Sequence, residues 1–308
     1  MRIAVTGAGG LIGSNLVPAL RAVGHQVVRL VRSTPSAPDE VGWNPSTRDV
    51  DLAGLAGTDA VVHLAGAPLA GERWTARYRQ LIRASRVDGT LTIAEACARL
   101  DPPPSVLVSG SAVGWYGDSG DAVVDESAPA GRGFLADVVR DWEAATAPAE
   151  NAGIRVVRAR TGVVIAAGGG LLSDRVVLPG GVRVSLLALF RAGLGGRLGS
   201  GRQWMSWISL ADEVASLQFL LDRDDVRGPV NLTAPHPVRN REFTAALGRA
   251  LHRPALLPVP AFALRAATGD FAEEALGSQR ALPRRLEGAG YRFRVATIDE
   301  ALRAALAG

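Results

Sequence analysis

Thr6-Gly7-Ala8-Gly9-Gly10-Leu11-Ile12-Gly13 decides how this 308-residue chain is read. The apolar run Ile3-Ala4-Val5 before it has the composition of a short buried strand. Leu11, Ile12, Leu16, Val17, Leu20 and Val23 after it fall at helical spacing. A strand, a glycine turn and a helix in that order give the spacing Gly7-x-x-Gly10-x-x-Gly13 a physical meaning. One glycine permits the tight turn, the next lets backbone N–H groups approach a pyrophosphate, and the last lets helix and strand pack closely. The helix N-terminus adds unpaired donors and a partial positive charge where phosphates would lie. Thr6, Gly7, Gly9, Gly10, Leu11, Ile12 and Gly13 are thus the expected cradle of a dinucleotide.

The next strand, Val27–Val31, ends at Arg32, with Ser33 and Thr34 behind it. A dinucleotide site that reads a free ribose 2′-OH usually carries an acid there. A guanidinium with adjacent hydroxyls instead suits a 2′-phosphate, so Arg32 and Ser33 point to NADP(H) over NAD(H). Residues 35–58 are rich in Pro, Gly and Asp and read as an irregular excursion, whose Trp43-Asn44-Pro45 either lines the adenine pocket or pins the loop. Asp59–His63 is a further buried strand whose end, Leu64-Ala65-Gly66, allows close backbone approach to a cofactor; His63 reads as a hydrogen-bonded structural residue. Trp74–Leu100 is a long helix stopped by Pro102-Pro103-Pro104. The strand Ser105–Ser109 runs into Ser109-Gly110-Ser111-Ala112-Val113-Gly114-Trp115-Tyr116, which places hydroxyls and aromatics at a strand's carboxyl end. Phe134–Pro148 is an amphipathic helix, and Ile154–Arg160 is a strand ending in Thr161-Gly162-Val163. This alternation gives an α/β fold: a doubly wound parallel sheet with a smaller C-terminal α+β region. The expected division assigns 1–165 and 206–235 to the dinucleotide-binding domain, and 166–205 and 236–308 to the substrate region.

Composition narrows the function. All 34 basic residues are arginine, and the net charge is only +4. The pI near 10.1 reflects guanidinium groups that never titrate rather than a basic patch. The scattered arginines argue against a nucleic-acid partner. No apolar run approaches a membrane span, and Met1-Arg2-Ile3 leads straight into a strand, so a cytoplasmic location is expected. Cys97, the single cysteine, excludes internal disulfides and cysteine metal clusters, and no metal is expected.

Thr6-Gly7-x-x-Gly10-x-x-Gly13, His63-Leu64-Ala65-Gly66, Val87-x-Gly89-Thr90, Ser111 with Tyr116-Gly117, and Ile208-Ser209-Leu210-Ala211-Asp212 together resemble extended short-chain dehydrogenase/reductases of the nucleotide-sugar epimerase type. A narrower likeness is to the NADP-binding, SDR39U-type epimerase branch. It is carried by Ser85-Arg86-Val87, Arg140-Asp141-Trp142-Glu143, Arg160-Thr161-Gly162-Val163-Val164, Leu198–Ile208 and Leu276–Pro283. The resemblance spans nearly the whole chain and implies a Rossmann domain with the branch's own C-terminal domain. It also implies contacts to NADP(H) from Leu64, Ala65, Gly66, Ser109, Gly110, Arg160, Thr161, Gly162 and Val163.

The superfamily's usual acid–base pair, Tyr-x-x-x-Lys, is missing. The corresponding helix begins Phe134-Leu135-Ala136-Asp137-Val138-Val139, and the chain has no lysine at all. The expected reaction is therefore NADP(H)-dependent oxidation–reduction or epimerisation of a small carbonyl or hydroxyl compound by an atypical member. Ser111 would orient the carbonyl, and Tyr116 or a bound water would handle the proton. Trp115, Arg202, Trp204 and Trp207 are the expected substrate contacts; a third reading, sugar-nucleotide epimerisation, calls for a second diphosphate subsite, and Arg175, Arg183, Arg197 and Arg202 either form it or are surface arginines. The alternative is a catalytically lapsed NADPH-binding regulatory or interaction protein. A homodimer is left open.

Overall fold

β1 (Arg2–Thr6) and α1 (Leu11–Ala22) flank the glycine stretch, as the sequence order requires. The computed structural model describes residues 1–70, 72–173, 175–177 and 183–307, side chains aside at 173, 175–177, 183 and 184. The central sheet uses β2 (Gln26–Val31), β3 (Glu40–Asn44), β4 (Asp49–Val50), β5 (Ala60–His63), β6 (Val106–Ala112), β7 (Arg155–Thr161) and, after the short strand β8 (Val163–Ala166) and β9 (Trp207–Ser209), β10 (Gly228–Leu232). The order of its eight strands is β10-β7-β6-β5-β1-β2-β3-β4. All neighbours are parallel except β3 and β4, which form an antiparallel edge. Chain order runs outward in both directions from β1 and β5, so the topological switch point lies between their carboxyl ends. Thr6-Gly7 and His63-Leu64 flank that point.

Alternation along the strands builds two cores. Ile3 and Val5 face α1 and α4 (Leu210–Leu221), packing with Leu16, Val17, Leu20, Val62, Val108, Val157 and Leu217. Ala4 faces the other way, with Val28, Leu30, Val61, Leu107 and Val156 against Ile93, Ala94 and Cys97 of α2 (Ala76–Arg99). Helices therefore cover both faces, which is why the inner strands read as continuous apolar runs. α3 (Phe134–Ala144) lies beside α2 and carries Trp142 and Glu143 into the sheet side, both buried.

A third core belongs to the C-terminal region. β9 pairs with β8, and Trp207, Phe190, Leu172 and Ile165 pack with Phe243 and Leu247 of α5 (Asn240–Ala250) and Leu302 of α6 (Ile298–Ala307). Asp212 joins the two regions. Its carboxylate accepts from the Tyr291 hydroxyl and from the N–H groups of Arg294 and Val295, at 2.8–3.0 Å. The stretch read as an irregular excursion contains β3 and β4, and Trp43 at its centre is only 5% exposed, stacked edge-on to His63. Trp43 thus pins the core and does not line an adenine pocket.

Candidate active site

The cradle has the steric signature expected of it. A Cβ on Gly13 would lie 2.2 Å from the Gly7 carbonyl oxygen, and one on Gly7 would lie 2.8 Å from the Leu64 carbonyl carbon, at a backbone φ of +67°. Gly9 has nothing within 4 Å of its missing Cβ, so it faces open space. α1 starts at Gly10 with no side-chain cap and no acid in its first turn. Its first N–H groups, at Leu11 and Ile12, are thereby left to an outside acceptor, and an anionic dinucleotide fits them. A second hairpin closes on the same place. Ile165 and Ala166 bridge to Gly170 and Gly169, and a Cβ on Gly169 would collide with Leu11 at 2.3 Å.

Arg32 stands exposed beyond β2, and among the described residues its guanidinium has no partner; Ser33 is exposed beside it. Thr6 is different from its expected role. It has no exposure, and its hydroxyl accepts from the N–H groups of Leu64 and Ala65 at 3.1 and 3.2 Å while lying 2.7 Å from His63 Nδ1. With two donors already on it, the Thr6 oxygen gives its proton to Nδ1, which leaves His63 neutral with its proton on Nε2. Burial pushes the His63 pKa down to about 4, in keeping with a structural imidazole. Thr6 therefore shapes the Leu64-Ala65-Gly66 loop rather than touching a cofactor.

The sequence offered Arg86 only within the run Ser85-Arg86-Val87 and gave it no place in the site. Its guanidinium lies in ordinary contact with the space a Gly66 Cβ would fill, 3.5 Å away. It donates to the Ile82 carbonyl at 3.2 Å and sits 5.3 Å from the Trp142 ring, with no carboxylate partner among the described residues. Burial pulls its pKa down to about 10. An unpaired cation at that depth is costly unless an anion joins it. The signal in the sequence was Ser85-Arg86 on a helix facing a small-residue strand end, but only the fold brings the two together.

The hydroxyls expected to do chemistry are committed inside the protein. Ser111 and Arg160 face each other across β6 and β7. Ser111 Oγ donates to Glu143 Oε1 at 2.6 Å, and Arg160 grips both oxygens of Glu143 at 2.7 and 2.9 Å. Arg160 also donates to the Tyr116 hydroxyl at 3.1 Å, which in turn donates to Asn231 Oδ1 at 2.7 Å. Ser111 and Tyr116 are each 4% exposed, and burial pushes the Tyr116 pKa up to about 12. Neither hydroxyl is free to orient or protonate a substrate carbonyl, and Arg160 is spent on Glu143 rather than on a cofactor. This buried network instead fixes the ends of β6, β7 and β10. Ser109 is buried as well, its hydroxyl 3.2 Å from the Gly110 carbonyl oxygen it donates to.

The expected substrate contacts separate. Trp115 is half-buried with the Arg160 guanidinium 4.0 Å from its ring, and its indole N–H donates to the Ala128 carbonyl at 3.1 Å. Trp204 is half-exposed, donates to Asp121 at 2.9 Å and lies under Arg239 and Arg280, with Arg202 exposed nearby. Trp207 has no exposure and donates to the His236 carbonyl, so it is a core residue and touches no substrate. Arg197 is tied to the Ser200 carbonyl, and the side chains of Arg175 and Arg183 lie outside the described residues. Gly162 and Val163 mark where the C-terminal region meets the sheet: Val163 N–H donates to the Ser206 carbonyl, and a Cβ on Gly162 would come within 2.8 Å of the same oxygen.

A parallel sheet in this order with an uncapped glycine cradle at its switch point defines a Rossmann protein of the short-chain dehydrogenase/reductase kind. The chain belongs to the NAD dependent epimerase/dehydratase family, which it matches over residues 3–232, and residues 259–305 match a domain of unknown function, DUF1731. It is 50% identical to an epimerase family protein of Mycobacterium bovis over 301 residues, covering 97% of this chain and 96% of that one. It is 37% identical to the chloroplastic SDR39U1 homolog of Arabidopsis thaliana, covering 99% and 86%. Among solved structures, human epimerase family protein SDR39U1 with NADPH superposes with a TM-score of 0.86 at 31% identity, covering 99% of both chains. No helix among the described residues is long and apolar enough to cross a membrane.

Proposed function

We propose that the protein binds NADP(H) and moves a hydride between it and a carbon of a small carbonyl or hydroxyl compound, as an oxidoreductase or an epimerase. The observation that carries this reading is the pairing of an open, uncapped helix start with an unpartnered guanidinium one strand away. The N–H groups of Leu11 and Ile12 would hold the pyrophosphate, and Arg32 with Ser33 the 2′-phosphate. Arg86 adds a half-buried positive charge beside Gly66. The NADPH of the human relative supports the choice of cofactor. When bound, the nicotinamide supplies the hydride, while the protein supplies position and electrostatics. Leu64, Ala65, Gly66, Gly110, Gly162 and Val163 offer small or backbone surfaces along the strand ends where it would lie, and Trp115 offers a flat wall.

The chain has no lysine, and its Ser111 and Tyr116 protons are committed internally, which favours a second reading. In that reading the protein binds NADPH and acts through a protein partner without catalysis. Stereospecific transfer of deuterium from labelled NADPH to any member of a broad panel of aldehydes, ketones and quinones supports the enzyme. Tight NADPH binding with no transfer across that panel supports the alternative.

A further inference from the structure

Glu213 has no part in anything described above. It sits in the first turn of α4, fully buried, and among the described residues its carboxyl group makes one hydrogen bond, between Oε1 and the Thr161 hydroxyl at 2.8 Å. Its second oxygen is buried without a partner among the described residues. The surfaces around α4 are apolar: Val108 of β6, Val157 and Ala159 of β7, and Leu16, Val17 and Leu20 of α1. Two titratable neighbours remain. Asp212 is held by Ser209, Tyr291 and two backbone N–H groups. Tyr291 is pushed up first by its own burial and then by Asp212, with Glu213 a smaller contributor. Burial raises the Glu213 pKa to about 8, so the acid keeps its proton at neutral pH. Thr161 ends β7 at the sheet's carboxyl edge and, unlike Glu213, is only half-buried. A hydroxyl both accepts and donates, so a protonated acid below and a hydroxyl at the edge form a two-member proton chain.

We propose that Thr161 and Glu213 are the proton source of this site, standing where a tyrosine–lysine pair is missing; the proposal rests on the hydride-transfer reading above. In a reduction, the substrate carbonyl carbon accepts hydride from the reduced nicotinamide dinucleotide and its C=O π bond opens. The resulting alkoxide oxygen takes the proton of Thr161 Oγ1. Thr161 is refilled by the proton of Glu213, which is left as a carboxylate beside an oxidised dinucleotide. A cationic ring bound at the strand ends would favour that carboxylate, and Glu213 regains a proton from water through Thr161 once the site empties. In the oxidative direction each transfer reverses. Thr161 would be the group that touches substrate, and Glu213 acts through it.

Infrared difference spectroscopy on the full chain reads the Glu213 proton without turnover. NADP+ and NADPH are added separately at pH 7, and Glu213→Gln, which keeps shape and a partner for Thr161, assigns the band. The expected result is a carboxylic-acid C=O band in the free protein that is absent in Glu213→Gln, lost with NADP+ and kept with NADPH. An indicator dye should record a proton released on NADP+ binding and none on NADPH binding. A free protein without the band, or a band that both nucleotides leave unchanged, overturns the proposal and makes Glu213 a structural group. Where Glu213→Gln fails to fold, Thr161→Val removes the acid's one partner and should move the band to higher frequency; an unmoved band overturns the pairing. Tryptophan fluorescence separates the two levels: if neither nucleotide quenches it, the cofactor reading fails and the relay falls with it. Quenching with an unresponsive band removes the relay alone.

Discussion

Replacing Gly13 by alanine inserts one methyl group between α1 and the turn after β1. Its carbon would lie 2.2 Å from the Gly7 carbonyl oxygen and 2.8 Å from Ala8 Cα, both backbone atoms that no rotamer change can move. In an exposed helix the same change gains about 1 kcal/mol. Here α1 must retreat by about 1 Å to restore van der Waals contact, and overpacking of this kind costs about 1–3 kcal/mol. The retreat also draws the Leu11 and Ile12 N–H groups away from a bound pyrophosphate. Losing one hydrogen bond to a charged group is worth about 1.5–3 kcal/mol, which is roughly 10- to 150-fold in affinity. Gly9→Ala is the control, because its Cβ meets nothing within 4 Å and the fold should not notice it. NADPH fluorescence titration and urea unfolding measure the two effects separately. Gly13→Ala should lose both stability and affinity, and Gly9→Ala should keep stability while losing affinity to steric exclusion of the phosphates. A Gly13→Ala protein with wild-type stability and wild-type NADPH affinity would refute the close packing on which the cradle depends.

Glu143→Ala should cost about 3–5 kcal/mol in urea unfolding, because it strands the buried Arg160 guanidinium. Glu143→Met combined with Arg160→Met should recover most of that loss, and equal loss in single and double variants would contradict it. Arg86→Met should weaken NADPH binding by roughly tenfold or more while leaving stability near wild type, since no carboxylate is abandoned; an unchanged dissociation constant removes Arg86 from the site. Two buried groups tilt the pH dependence in opposite directions. His63, with its pKa lowered to about 4, makes stability fall as pH drops from about 6.5 to about 4, because the unfolded chain binds the proton first, and its full contribution is about 3 kcal/mol. Glu213, with its pKa raised to about 8, makes stability fall as pH rises from about 4.3 to 8, by up to about 5 kcal/mol. The unfolding free energy of Glu213→Gln minus that of wild type should therefore climb between pH 5 and 8, and a flat difference would show Glu213 already ionised.

The parallel sheet was legible because its inner strands read as short apolar runs while α1 and α3 are amphipathic and α2 is long, so period and length separate them without tertiary information. The strands read at Ser105–Ser109 and Ile154–Arg160 came out as Val106–Ala112 and Arg155–Thr161. β3 and β4 were hidden, because Val41 and Trp43 alternate over only five residues, Gly42 and Asn44 are turn formers, and β4 has just two residues. The cradle was readable because glycine spacing encodes close approach directly. The Ser111–Glu143–Arg160–Tyr116 network was not, since it joins residues that lie far apart along the chain and meet only through strand register. Trp207 misled for a related reason. An indole near a glycine-rich turn reads the same whether it lines a cleft or fills a core, and here the His236 carbonyl satisfies it inside. Arg86 and Glu213 carry their meaning in what they lack, a counter-ion and a second partner, and a sequence cannot display an absence of that kind.

The most direct measurement is the dissociation constant for NADPH and for NADH, taken side by side on the wild type and on Arg32→Ala. Tighter binding of NADPH, with that advantage shrinking roughly tenfold or more in Arg32→Ala while NADH affinity stays put, is the expected result. Equal affinities in the wild type, or a ratio that Arg32→Ala leaves intact, would contradict it.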